Sequence, residues 1–77
     1  NATEVGIRML VEAAIKSNAA AVIIAHNHPG ALPLPSKEDE YCTGLVKKAL
    51  ELVDIKLLDH IIVGGKEFQS LNKNGLM

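Results

Sequence analysis

Apolar residues recur in the first part of the chain at Ile7, Leu10, Val11, Ala14 and Ile15, a spacing that lines up one face of a helix. The stripe predicts a helix from about Glu4 to Ser17, with Thr3 as its N-cap and Ser17-Asn18 as its stop. The periodicity then disappears. Ala20-Ala21-Val22-Ile23-Ile24-Ala25 is a short unbroken apolar run with β-branched residues and predicts a buried strand. From His26 to Pro35, three prolines and Gly30 predict an ordered loop at the carboxyl end of that strand, held stiff by Pro29, Pro33 and Pro35. Helical spacing returns at Cys42, Leu45, Val46, Ala49, Leu50 and Val53, so Ser36 reads as the cap of a second helix ending near Asp54. Leu57 to Val63 predicts a second strand, Gly64-Gly65 a two-residue turn, and Lys66 to Leu71 a third strand. The tail from Asn72 to Met77 reads as frayed, and the chain shows no internal repeat or low-complexity linker.

The order helix, strand, helix, strand, strand in 77 residues, 48% of them hydrophobic, fits one small α/β domain. Chains of this size bury only roughly 60% of their unfolded surface, so a metal, a partner chain or further residues would add to such a core. Asn1 stands where an initiator methionine would, and Asn1-Ala2 reads as an expression-tag remnant, which predicts a piece of a longer protein, truncated at its N-terminus. A net charge of -1 and scattered Lys and Arg give no nucleic-acid footprint. Cys42 is the only cysteine and lies on the apolar stripe, where packing explains it. With no secretory leader and no apolar run of about 20 residues, a soluble, cytoplasmic protein without a membrane segment is the expectation.

Packing explains His26-Asn27-His28-Pro29 least well. Side chains two residues apart on an extended segment share a side, so His26 and His28 can reach one metal while Asn27 faces away and serves the loop. Asp39 adds a carboxylate, and two nitrogens with one oxygen suit Zn²⁺ with a fourth position open. Asp39 has a second explanation, because Ser36-x-x-Asp39 also matches a capping box. Asp59-His60 reads either as a polar pair at a sheet edge or as groups orienting a ligand.

His-x-His, seven residues, Ser, two residues and Asp resembles the signature of the JAMM (JAB/MPN+) zinc metallohydrolases. AAAVIIAHNHP, the Pro-Ser-x-x-Asp segment and LLDHIIVGG resemble the RadC-like JAB domain within that superfamily, over about Glu4 to Leu71. One departure is Gly30-Ala31, where the family reads Ser-Gly after the His-Asn-His-Pro, which alters the loop but not the ligands. The resemblance implies a JAB/MPN-like, cytidine-deaminase-like fold with a mixed sheet. It implies zinc held by His26, His28 and Asp39, and Ser36 as a catalytic hydrogen-bond donor to the oxyanion that forms when a metal-activated water attacks an amide carbonyl of a protein or peptide-like substrate.

The same family uses a glutamate on an upstream strand as general base and acid. None of Glu4, Glu12, Glu38 and Glu40 matches it, since all four fall on the predicted helices. Two functions follow: a zinc metallopeptidase or isopeptidase completed by the rest of a longer protein, or an inactive metal-binding interaction module in the DNA repair and recombination setting attached to RadC relatives. A nuclease of the HNH type does not fit, because its residues are dispersed through a ββα fold and these are contiguous after a strand. The absent upstream strands would leave an edge free beside Ala20 to Ala25, an expected route to a homodimer.

Overall fold

The structure, a computed structural model, describes residues 2–77, except for the side chains of residues 2–5. The proposed tag residue Asn1 and the side chains of Ala2, Thr3 and Glu4 therefore lie outside the described residues. Five elements follow in the expected order: α1 (Ala2–Lys16), β1 (Ala21–Asn27), α2 (Lys37–Glu51), β2 (Lys56–Gly64) and β3 (Glu67–Ser70). The protein is an α/β domain with a mixed three-stranded sheet in the order β1-β2-β3, β1 parallel to β2 and β2 antiparallel to β3. Parallel neighbours need a long crossover, and α2 supplies it.

Both helices end by the same device. Asn18 and Asp54 take left-handed backbone, with φ of 54° and 59°. Ala19 N then donates to Ala14 O at 3.0 Å and Ile55 N to Leu50 O at 2.9 Å, the long backward bonds of a Schellman closure. The stop at Ser17-Asn18 is where the sequence puts it. Helix α2 ends at Glu51, earlier than the expected Asp54, so Val53 leaves the apolar stripe and is 42% exposed.

The core gathers Ala14, Val46, Leu50, Ile55 and Leu57, with Ile7, Leu10, Val11, Val22, Ile24 and Met77 packed around them. Both helices thus share one face of the sheet. The other face is uncovered and carries Ile23, Val63 and Phe68, all exposed. Strand β1 is therefore half-buried, with inward and outward positions alternating, and not the fully buried strand that its unbroken apolar run predicts. It also runs on to Asn27, so His26 sits in regular strand and not in the loop, and His28 N extends the pairing by donating to Val63 O at 2.7 Å.

Two further boundaries differ. The hairpin turns on Gly65-Lys66 instead of Gly64-Gly65, and β3 is four residues long. Gly65 has φ of 58°, which a glycine adopts without strain. Gly64 serves a close approach instead, since a Cβ there would lie 2.5 Å from Ala31 O. The tail from Asn72 is not frayed: Leu76 N donates to Leu71 O at 2.8 Å, and Met77 packs on the core.

Strand β2 carries one irregularity that matters for the site. Val22 pairs with Leu57 but Ile23 pairs with Asp59, so Leu58 is an extra residue in a β-bulge. Alternation changes phase there: Leu57, His60 and Ile62 face the helices, while Leu58 and Asp59 do not.

Candidate metal centre

The carboxyl end of β1, the first turn of α2 and the middle of β2 meet on the helix-covered side. His26 and His28 project the same way from the strand, as alternation requires, and Asn27 between them is exposed. Ser36 caps α2 in extended backbone and closes a full capping box: Ser36 Oγ accepts from Asp39 N at 3.0 Å, and Asp39 Oδ2 accepts from Ser36 N at 2.7 Å.

The cap does not compete with a metal role for Asp39; it aims the carboxylate. Asp39 Oδ1 lies 3.4 Å from His26 Nε2 and Oδ2 lies 3.6 Å from His28 Nε2. The two Nε2 atoms are 2.8 Å apart. Ligand atoms around a tetrahedral Zn²⁺ are separated by about 3.3 Å when bonds are about 2.0 Å long. The three side chains therefore already present their donor atoms at close to the edges of such a tetrahedron. Among the described residues they form the group able to hold a metal ion, and no glutamate belongs to it. The donor set fits zinc, and a fourth corner is left for water or substrate.

Charge favours the same outcome. Burial works to raise the pKa of Asp39, but hydrogen bonds from Ser36 and the neighbouring His26 and His28 outweigh it and hold the carboxyl below its ordinary 3.8. It is an anion at neutral pH. Ser36 is exposed, and because its Oγ accepts from Asp39 N its hydroxyl proton remains to donate, to the Asp39 carboxylate or to an incoming oxygen.

Two residues behind His26, His28 and Asp39 were less legible. His60 is not an edge group: it is 6% exposed, its Nε2 is 2.8 Å from His26 Nδ1, and its Nδ1 is 2.6 Å from Thr43 Oγ1. Burial, then the nearby His26, push its pKa below 6.5 against the pull of Asp39 and Asp59, so it is neutral at pH 7. Thr43, 1% exposed, bonds Asp39 O at 2.6 Å one turn back along α2. Its signal was a polar residue four positions after Asp39, on the face that continues to Val46 and Leu50. Asp59 faces away from the metal group and joins β2 to the tail, accepting from His60 N, Ser70 Oγ and Asn72 N.

A helix-strand-helix-strand-strand domain with His-x-His at the end of its first strand and aspartate in the next helical turn is a domain of the JAB type. The profile of the RadC-like JAB domain matches residues 1–76, and the chain belongs to that family. It is 51% identical over its whole length to the UPF0758 protein PSHAa2643 of Pseudoalteromonas translucida, of which it covers 34%. It is 47% identical over its whole length to the UPF0758 proteins YkfG and YeeS of Escherichia coli, covering 49% and 52% of them. The chain thus spans about a third to a half of the length of these curated relatives. No helix among the described residues is long and apolar enough to cross a membrane.

Proposed function

We propose that this domain is the zinc-binding half of a JAMM-type hydrolase that cleaves amide or isopeptide bonds in protein or peptide-like substrates. The observation that supports it is the convergence of His26 Nε2, His28 Nε2 and the Asp39 carboxylate at 2.8 to 3.6 Å. Bound in that group, Zn²⁺ would polarise a carbonyl and make a water acidic enough to act as nucleophile near neutral pH. His26 and His28 offer ring nitrogens, Asp39 offers a charge that offsets part of the cation's, and Ser36 stands at the rim with a hydroxyl to donate to developing oxyanion charge.

Moving the proton from water to the leaving amine needs a base, and among the described residues no glutamate joins the metal group to supply it. We assign that base to the remainder of the longer protein. Elemental analysis of purified protein at neutral pH should find about one zinc per chain, and His26→Ala should remove it. Metal-free protein from a preparation supplied with zinc, or a His26→Ala variant that keeps its zinc, would end the metal reading. If zinc binds, hydrolysis of isopeptide-linked substrates by the full-length protein, abolished by a chelator, tests the catalytic half.

A further inference from the structure

Proton positions around the site can be read outward from one atom. The carbonyl of Asp39 only accepts, so the Thr43 hydroxyl must donate to it across 2.6 Å. Having spent its one proton, Thr43 Oγ1 must accept from His60 Nδ1 at 2.6 Å. A neutral imidazole carries one ring proton, so His60 Nε2 presents a lone pair, and His26 Nδ1 must donate to it across 2.8 Å. A neutral His26 is then left with its lone pair on Nε2, which accepts from His28 Nε2 at 2.8 Å and faces Asp39.

We infer that Thr43 and His60 are positioning residues that set the tautomer of His26 and so pre-arrange the site for a cation. The inference rests on the metal-binding reading above. The relay begins and ends on residues of the site: it starts at the backbone of Asp39 on α2, passes through β2, and ends on the ring of His26 on β1. It thereby fixes two ligands from different elements relative to each other as well as choosing the nitrogen that is free. Thr43, fully enclosed, gives the ring of the buried His60 an acceptor that valine could not supply.

Two measurements test the relay. In metal-free wild-type protein, long-range ¹⁵N–¹H spectra should show His26 protonated on Nδ1 and His60 on Nδ1. Thr43→Val keeps the shape of the side chain and removes the hydroxyl, so His26 should become a mixture of tautomers and zinc affinity, read by competition with a chromogenic chelator, should fall about 10- to 100-fold. Thr43→Ser restores the hydroxyl and should return affinity to within about threefold of wild type. Wild-type His60 protonated on Nε2, or a Thr43→Val variant with unchanged tautomers and affinity and only a lower melting temperature, overturns the inference. Should Thr43→Val fail to fold, the wild-type tautomers and the Thr43→Ser affinity decide. If wild-type protein binds no zinc, the proposed function fails while the tautomer spectra still decide the relay.

Discussion

Asp39 and Asp59 are both held below the ordinary carboxyl pKa, and both sit within reach of His60, yet they are built for opposite ends. Asp59 is matched by donors of the chain itself: His60 N at 2.7 Å and Asn72 N at 3.1 Å on one oxygen, and Ser70 Oγ at 2.6 Å on the other. Asp39 receives the Ser36 amide and then faces two imidazole nitrogens, one of which the relay leaves as a bare lone pair. A carboxylate with all its donors at hand ties structure together. One that faces the His26 lone pair is left without a donor of the chain on that side, where a cation would fit.

The sharpest way to break this contrast is a pair of alanine variants. Asp39→Ala should lower zinc affinity by at least about 100-fold, since two imidazoles alone make a poor site for this ion, whereas Asp59→Ala should keep one zinc per chain. Loss of zinc from both, measured by equilibrium dialysis, would erase the distinction. A smaller effect is expected on stability: Asp59→Ala leaves Ser70 and the amides of His60 and Asn72 without their acceptor and should cost about 1–3 kcal/mol in urea unfolding of the metal-free protein. The smallest effect is in acid. The folded pKa of Asp59 lies below the unfolded 3.8, so its stabilisation is complete above about that pH and is lost as pH falls through the folded value. Asp59→Asn should therefore flatten the fall in stability below about pH 4, and an unchanged slope would mean that the carboxylate contributes nothing as an anion.

The helices, the strand order and the cluster of His26, His28 and Asp39 were readable because each leaves a local mark: a stripe of period 3.6, a β-branched run, a His-x-His pair, a Ser-x-x-Asp cap. The half-exposure of β1 was not, because an unbroken apolar run looks alike whether one face or both are covered. Leu76 and Met77 show the same limit at the other end, where composition suggests fraying and a backbone bond and packing against the core decide otherwise. His60 was the instructive miss. Regular alternation from the buried Leu57 would turn Asp59 toward the helices and His60 away, and only the bulge at Leu58 reverses them. No motif in LLDHIIV announces that extra residue, and the Asp59 carboxylate that meets the His60 amide beside it comes into view only with the backbone.

Leu58 can also be considered as a matter of chain length. A deletion inside a strand is ordinarily ruinous, because every residue beyond it changes sides. Here one residue is surplus to the pairing, so deleting Leu58 leaves Leu57 and His60 both on the sides they now occupy. Deleting Ile61 a few positions on leaves no such escape, and Ile62, fully buried, would be turned out to solvent. Soluble, zinc-binding protein from the first deletion and none from the second would mark Leu58 as the place where this strand has room to gain or lose a residue.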